Sequence, residues 1–414
     1  GQSGNSLSKF DETNSKSSEI IPQDVFSAEH VEDELIVIFK TDAEQFENAE
    51  NFSGNIEVLR NLAAARTPGS NAVLNVNTMS LIKNISDLSL REMAAQLALD
   101  PSVERVEPNY IVRHTNVPND PNYSQQWALP KINATGAWEI TKGDKEVVVA
   151  VIDTGIDYNH PDLEGNIWIN PGEIAGNNID DDGNGYIDDV YGWDFCNNDN
   201  DPMDGDGHGT HVGGTIAAAT NNGELVAGVA WHASLVGLKF LSDDGWGSTA
   251  DAIDAVAYCA AMNFPISNNS WGGGGYSQAL KDVIAEAAAK GHLFCAAAGN
   301  SSSNNDEVPH YPSNYDLPSI ISVAASDSAD ELAWFSCYGA QTVDMAAPGA
   351  GILSLIPGGG TASYSGTSMA TPHVAGAAAL VLSINPEFGH QEIKNVLMNS
   401  IDHIPAFEGK MVAA

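Results

Sequence analysis

The stretch "KEVVVAVIDTG" (145–155) decides the fold, because it is a nearly continuous apolar run that ends in glycine. A strand with this composition is buried on both faces, as in a parallel sheet covered by helices. Four later segments have the same form, and helical patterns lie between them. The segments are "SLVGLKFL" (234–241), "PISNNSWGG" (265–273), "HLFCAAAGN" (292–300) and "SIISVAASD" (319–327). Alternating strands and helices predict an α/β domain with a doubly wound, mostly parallel sheet.

The part of the chain before this domain has a different character. Residues 1–29 are polar and rich in serine and asparagine, which is typical of a flexible leader. Residues 30–115 hold strand patterns at 33–40, 72–79 and 103–113, and a helical pattern at 86–100 that starts with a serine N-cap. They predict a small α+β, ferredoxin-like domain. The α/β domain then takes 116–414.

Composition narrows the classes of function. The 414 residues include 55 acids and 17 bases, for a formal charge of −38. A nucleic-acid partner is therefore not expected, because phosphate binding needs clustered cations. The four cysteines form no CxxC pair, which argues against a thiolate zinc site but leaves one or two disulfides open. No run of 18 apolar residues predicts a membrane span.

Four polar residues stand where the predicted strands and helices place chemistry. Asp153 and Asn300 follow strands, whereas His208 and Ser368 lie at glycine-rich entries to helices. Ligand chemistry in such sheets belongs at the carboxyl ends of the strands. Asp, His and Ser are the set that a nucleophilic hydrolase needs, and an Asn amide could stabilise an oxyanion. Each residue alone could equally be a helix cap or a turn residue, so the prediction depends on their joint occurrence.

A second histidine and an acidic stretch lie close to His208 in the sequence. His211 lies one helical turn beyond His208, and we expect it to be a buried, hydrogen-bonded helix residue. The acidic stretch 177–207 contains spacing typical of an EF-hand calcium loop, although Tyr191 occupies the last position. The alternative is a solvated acidic turn. The candidate ligands are Asp180, Asp182, Asn184, Tyr186, Asp188 and Asp189.

Residues 119–412 resemble the subtilisin-like serine proteases, or subtilases. The resemblance lies in "VVVAVIDTGIDYNHPDL", "GHGTHVGGTIAA", "AAAGN" and "SGTSMATPHVAGAAAL", which follow the family order Asp, His, Ser. It implies that Asp153 orients the imidazole, that His208 is the general base and that Ser368 is the nucleophile. Asn300 and the Ser368 backbone N–H would form the oxyanion hole. The unit before it is similar to the inhibitory propeptide of subtilases.

The resemblance also implies where substrate and calcium bind. Two segments would hold an extended peptide, and His310 would lie at the floor of the pocket for the residue before the scissile bond (P1), followed by a cis Tyr311–Pro312 bond. The two segments consist of Gly245, Trp246 and Gly247 on one side and Ser270, Trp271, Gly272 and Gly273 on the other. The first implied calcium site comprises Asp120, Asp162, Thr220, Asn222, Glu224 and Val226. The second, thermitase-like site comprises Asp194, Asp199 and Asp201.

Together these inferences predict a secreted, monomeric, calcium-stabilised serine endopeptidase that cleaves polypeptides. We expect it to be made as a precursor that cuts itself between residues 113 and 118, most simply after Asn116, and is then inhibited by its propeptide. We also expect that its true start was removed and that a C-terminal extension is missing. The alternatives are a catalytically silent calcium-binding protein on the same fold and an α/β esterase. The esterase would require a G-x-S-x-G elbow and the order Ser, Asp, His, neither of which is present.

Overall fold

The computed structural model describes Phe26, residues 30–40, Phe52, and residues 54–62, 79–111 and 117–413. They fall into two compact units, the first ending at His114 and the second starting at Thr115. The predicted leader at 1–29, except Phe26, and the strand residues 72–78 lie outside the described residues, as do 112–116, which include Asn116.

The first unit is an antiparallel sheet covered by a helix. Its strands have the order β2-β3-β1-β4, and helix α1 follows β3 in the chain. The strands are β1 (His30–Phe39), β2 (Ile56–Leu62), β3 (Met79–Asn84) and β4 (Val103–Tyr110), and α1 is Leu90–Leu97. Helix α1 begins later than predicted because Ser89 is its N-cap, in a capping box with Glu92. Strand β2 was not predicted.

The second unit confirms the doubly wound α/β fold. Its seven strands are parallel and have the order β11-β10-β9-β8-β5-β7-β6. The strands are β5 (Val148–Asp153), β6 (Gly192–Asp194), β7 (Ser234–Lys239), β8 (Ile266–Asn269), β9 (Leu293–Ala297), β10 (Ile320–Ser326) and β11 (Met345–Pro348). A separate antiparallel hairpin joins β12 (Ile352–Ile356) to β13 (Gly360–Tyr364).

Helices surround this sheet, and most follow the predicted patterns. Two short helices come first, α2 (Ala128–Lys131) and α3 (Ala134–Trp138). The longer ones are α4 (His208–Ala217), α5 (Thr249–Ala261), α6 (Gln278–Ala288), α7 (Thr367–Ile384) and α8 (His390–Asn399). Single 3-10 turns occur at Tyr123–Gln125, Pro161–Leu163 and Pro405–Phe407.

Strand β5 shows why the opening stretch is apolar throughout. All six of its residues are buried. Val149 and Val151 pack into the core on one face of the sheet, whereas Val148, Ala150 and Ile152 pack into the core on the other. Successive side chains point to opposite faces, so a strand covered on both sides is apolar on both, as β5 is from Val148 to Ile152 before it ends at Asp153.

Helix α7 is long and apolar enough to cross a membrane by composition alone, but 72% of it is buried inside the protein. Its contacts are those of a core helix, since Met369, Ala370, Val374 and Ala378 pack in the larger core.

Candidate active site

The carboxyl end of β5 brings Asp153 against His208, the first residue of α4. Asp153 is completely buried, and its Oδ1 lies 2.7 Å from His208 Nδ1. Asp153 Oδ1 also accepts a hydrogen bond from the Thr154 backbone N–H at 2.8 Å. With Nδ1 engaged by a carboxylate, the imidazole has one tautomer in its neutral form and keeps Nε2 as the free base.

The environment of His208 favours its charged form. Burial opposes the imidazolium, but the charge of Asp153, their hydrogen bond and the nearby carboxylates of Asp206 and Asp204 outweigh it and raise the pKa of His208. The side chain is 27% exposed, so it can still reach a substrate. A base with a raised pKa accepts a proton more strongly.

The buried carboxylate of Asp204, which the sequence analysis did not identify, links the segments that carry Asp153 and His208. Asp204 Oδ1 accepts from Thr154 Oγ1 and from the Gly207 backbone N–H, each at 2.9 Å. Its Oδ2 accepts from the Thr210 backbone N–H at 2.8 Å and from Thr210 Oγ1 at 2.6 Å. Asp204 thus ties the residue after Asp153 to the first turn of the helix that carries His208. The repeated Asp-Gly pattern before His208 was the signal that could have indicated it.

Ser368 lies in the first turn of α7, but its hydroxyl is not directed at His208. It donates to the Ser270 carbonyl at 2.9 Å, and Ser270 Oγ donates to the Ser368 carbonyl at 2.8 Å. A hydrogen bond from a nucleophile to its general base would instead join Ser368 Oγ to His208. The physical reason is that the two serines satisfy each other, and catalytic hydrogen bonds are often formed only when substrate is present.

Asn300 is oriented by the start of α7. Its Oδ1 accepts from the Thr367 backbone N–H at 2.8 Å and from Thr367 Oγ1 at 2.9 Å. The amide Nδ2 is therefore the group left to donate. A Cβ placed on Gly366 would lie 3.5 Å from Asn300 Nδ2 and 3.6 Å from the Ser368 backbone nitrogen, so both donors border the same point in space. An oxyanion at that point could bind both.

A cleft of about 670 Å³ runs past these groups. It is lined by all the residues predicted to bind substrate, namely Gly245, Trp246, Gly247, Ser270, Trp271, Gly272, Gly273 and His310. It is also lined by His208, Asn300 and Ser368, by Tyr311 and Tyr315 of the predicted pocket-floor segment 310–315, and by residues the sequence did not indicate, among them Leu241 and Thr249. Trp246 is 64% exposed. Neither glycine-rich segment belongs to a strand, and only the bridge between Leu241 and Gly247 is present there.

His211 is the buried helix residue that the sequence predicts. Its Nε2 lies 3.0 Å from the Ile352 carbonyl and 3.1 Å from the Ala362 carbonyl, and its ring stacks on Tyr364. Burial lowers its pKa to about 4. It therefore holds the β12–β13 hairpin against α4. Tyr311–Pro312 is cis, as the resemblance implies, and all four cysteines are free thiols.

The first implied calcium site has its side chains close together. Asp162 Oδ1 accepts from Asn222 Nδ2 and its Oδ2 accepts from the Val226 backbone N–H, each at 2.9 Å. Asp120 accepts from the backbone N–H groups of Asn221 and Asn222. Burial raises the pKa of Asp162 to about 6. Of the other predicted ligands, Glu224 donates its N–H to Asn222, and Thr220 Oγ1 accepts from Gly228.

The acidic loop arranges its carboxylates differently from the EF-hand expectation. Asp188 accepts backbone N–H groups from residues 176–178, and Asp180 accepts those of residues 183–185, so both are engaged in local turns. Asp182 and Asp189 instead converge with Glu173, whose carboxylate the spacing did not indicate, with oxygens within 4.8 Å of one another. Asn184 Nδ2 donates to Asp182 and Asp189, and the Tyr186 ring packs against Trp193, Phe195 and Tyr258.

The predicted second site at Asp194, Asp199 and Asp201 does not form such a group within the described part of the chain. Asp194 accepts from Asn197, and Asp201 accepts from the Tyr158 hydroxyl at 2.8 Å. Lys239, whose charge acts on Asp194, supplies a cation beside it. The geometry therefore gives this site the weakest support of the three.

The residues that line the cleft, together with the fold, indicate a class of enzyme. A buried carboxylate bonded to an imidazole, a serine at a helix start and an oriented amide, all at the carboxyl edge of a parallel sheet, are the parts of a serine hydrolase. The model of the subtilase family, Peptidase_S8, matches residues 144–411. The chain belongs to this family and is a subtilisin-like serine peptidase, an enzyme that acts on polypeptides.

Individual relatives agree with this assignment. A thermophilic serine proteinase of Bacillus sp. (strain AK1) is 36% identical over 355 residues, which are 86% of this chain and 79% of that protein. Thermitase of Thermoactinomyces vulgaris is 39% identical over 267 residues, 64% of this chain and 85% of that one. A Pseudoalteromonas arctica protease structure matches with TM-score 0.61 and 30% identity, over 72% of this chain and 96% of that chain.

Proposed function

We propose that the chain is a calcium-stabilised serine endopeptidase, in which Ser368 is the nucleophile, His208 the general base and Asp153 the group that orients it. The observation that carries the proposal is the 2.7 Å contact between buried Asp153 and His208, beside a cleft that also contains Ser368. A silent calcium-binding protein would have no need of this arrangement. An esterase is disfavoured by the G-T-S-M-A surroundings of Ser368.

The reaction starts with a rotation of the Ser368 hydroxyl. It leaves the Ser270 carbonyl and gives its proton to His208 Nε2 as Oγ attacks the scissile carbonyl. Asn300 Nδ2 and the Ser368 N–H stabilise the oxyanion of the tetrahedral intermediate. Protonated His208 then gives its proton to the leaving amine, and water hydrolyses the acyl-enzyme by the same steps in reverse.

An extended peptide binds by pairing with the two glycine-rich segments of the cleft. Both segments, 245–247 and 270–273, line the cleft and are outside any strand. Pairing with substrate main chain gives affinity without dependence on sequence, and side-chain pockets then add specificity.

Calcium would stabilise the loops that hold two groups of carboxylates. The group of Asp120, Asp162 and Asn222 fits a cation, since Asp162 is fully buried and a divalent ion would compensate its charge. Glu173, Asp182 and Asp189 supply oxygens for a second ion, which would steady the segment leading to His208. Bound ions at these places stabilise the folded chain in millimolar calcium, an extracellular condition, and the protein is therefore proposed to be secreted.

The first unit serves as the inhibitory propeptide. Its last strand, β4, leads into residues 113–118, where we place self-cleavage, after Asn116. The cut would leave a product-like end for the cleft to bind, which makes the free propeptide an inhibitor of a monomeric enzyme.

Labelling with a fluorophosphonate tests the proposal. Processed wild-type protein should be modified at Ser368, and Ser368→Ala should be neither labelled nor cut between 113 and 118. Mass spectrometry reads both results. A Ser301→Ala variant is the matched control, because Ser301 is an exposed serine that follows the oxyanion residue but bonds only to Ser303 and Cys337. Labelling elsewhere, or a break that persists in Ser368→Ala, contradicts the proposal.

A further inference from the structure

The floor of the cleft beside Ser368 is occupied by a side chain. His310 lies between two glycines that follow neighbouring strands, Gly272 after β8 and Gly299 after β9. A Cβ on Gly272 would overlap His310 Cε1, and a Cβ on Gly299 would lie 2.9 Å from His310 Cδ2, closer than real side chains approach. The imidazole therefore fills the space between the two walls, and both walls have to be glycine to receive it.

This space is the pocket for the P1 side chain, on the proposed function. The scissile carbonyl would sit at Ser368 and Asn300, and Asn300 directly follows the Gly299 wall. The side chain on the residue that carries this carbonyl must enter the adjacent depression between the walls. Because His310 already occupies the floor, the room left there suits a small side chain.

The hydrogen bonds of His310 determine which ring nitrogen carries the proton. Ser313 Oγ donates to the His310 carbonyl at 2.8 Å, so its single proton is used. The same oxygen lies 3.3 Å from His310 Nδ1 and is left as an acceptor, which favours the tautomer with the proton on Nδ1. Burial lowers the pKa of His310, which keeps the ring neutral at neutral pH. A neutral imidazole with its proton on Nδ1 has an unprotonated Nε2 that can only accept.

Nε2 is also the ring nitrogen that lies between the walls. It is 2.8 Å from the Cβ position of Gly272 and 3.1 Å from that of Gly299. Among the described residues no donor hydrogen-bonds to it. An acceptor at the floor of a pocket discriminates in favour of ligands that supply the donor.

We propose that His310 determines specificity at P1 and selects small side chains that donate a hydrogen bond: serine, threonine and asparagine. Bulky apolar side chains are excluded by the volume of the ring. Aspartate is disfavoured because its carboxylate brings only acceptors to Nε2. The proposal rests on the assignment of Ser368 as nucleophile and names the substrate class of that site.

Cleavage of peptides that differ only at P1 tests it at pH 8. Threonine and valine have the same shape and differ by the hydroxyl, so wild-type enzyme should give a kcat/KM about tenfold higher for threonine than for valine. Asparagine should exceed both aspartate and phenylalanine by at least that factor. Equal rates for threonine and valine, or a preference for phenylalanine, would overturn the proposal.

Two variants separate ring volume from ring chemistry. His310→Ala should raise the kcat/KM for phenylalanine at least tenfold and bring the threonine-to-valine ratio to about one. Ser313→Ala should lower that ratio while phenylalanine stays a poor substrate, because the ring remains but its tautomer is released. His232→Ala, at an exposed histidine outside the cleft, is the control and should change neither ratio.

Fluorophosphonate labelling keeps the two proposals apart. If Ser368 is labelled and the P1 preference does not follow His310, the specificity proposal fails and the catalytic one stands. If Ser368 is not labelled and no peptide is cut, the catalytic proposal fails and the specificity proposal fails with it.

Discussion

Single residues in this protein act through the groups that fix their direction. Asp153 fixes His208 by bonding Nδ1, Thr367 fixes Asn300 by donating twice to Oδ1, and Ser313 fixes the tautomer of His310. In each case a side chain with two chemically different ends has one end occupied by the protein. The other end is the one presented to the cleft.

The pH dependence of activity follows from the protonation of a single residue, His208. His208 must be neutral to take the serine proton, and its pKa is raised above 6.5 by Asp153. We therefore expect kcat/KM to fall as the pH drops through an apparent pKa above 6.5. The pH–rate profile measures it. In Asp153→Asn the small residual activity should have its acid limb moved to lower pH, and an acid limb below 6.5 in wild-type enzyme would contradict the assignment.

At the scale of elements, the junction between β5 and α4 is the critical joint. Gly209 allows the helix start to press against the end of the strand, since a Cβ there would overlap the Gly155 carbonyl. Asp204 adds the hydrogen bonds that hold the two elements together. The distance between Asp153 and His208 therefore depends on a carboxylate that touches neither of them.

Asp204→Asn tests this joint. The amide presents N–H groups to donors that need an acceptor, and leaving buried groups unsatisfied costs about 1–3 kcal/mol. We expect a lower free energy of unfolding and a lower kcat with a nearly unchanged KM, because the peptide-binding segments are elsewhere. Chemical denaturation and steady-state kinetics measure the two effects. Asp402→Asn, at an exposed aspartate, is the control, and equal behaviour of the two variants would refute the role of Asp204.

For the whole molecule, the positions of the acidic residues affect the stability of the fold. Part of the formal charge of −38 comes from the acidic stretch 177–207, in which Asp182 and Asp189 converge with Glu173. Asp162 is buried without a basic side chain within hydrogen-bond reach among the described residues. Uncompensated charge of this kind opposes folding, and cation binding would remove the opposition.

Calcium should therefore raise the melting temperature of the processed enzyme. An ion at 100 times its Kd contributes about 2.7 kcal/mol to the free energy of unfolding. We expect the Tm to be several degrees higher in about 5 mM calcium than with a chelator. Asp162→Asn and Glu173→Gln should each reduce this difference, whereas Asp402→Asn should preserve it. A Tm that does not respond to calcium in wild-type protein would exclude the proposed sites.

Five strands of the parallel sheet, its main helices and the four polar residues at their ends could be predicted from the sequence. These features are local: β5 is recognisable because burial on both faces favours apolar residues on both, whichever strands are its neighbours. Strands β2, β6, β11, β12 and β13 escaped prediction because they are short or only partly buried, and their formation depends on pairing with partners.

Only the tertiary structure decided how distant residues meet. Glu173 joins Asp182 and Asp189, Asp204 reaches Thr154, and His310 enters the space between Gly272 and Gly299. Spacing along the chain predicts contacts within one turn, helix or strand, whereas these contacts join residues that are farther apart in the sequence. The direction of the Ser368 hydroxyl is likewise set by Ser270, which lies 98 residues earlier in the sequence.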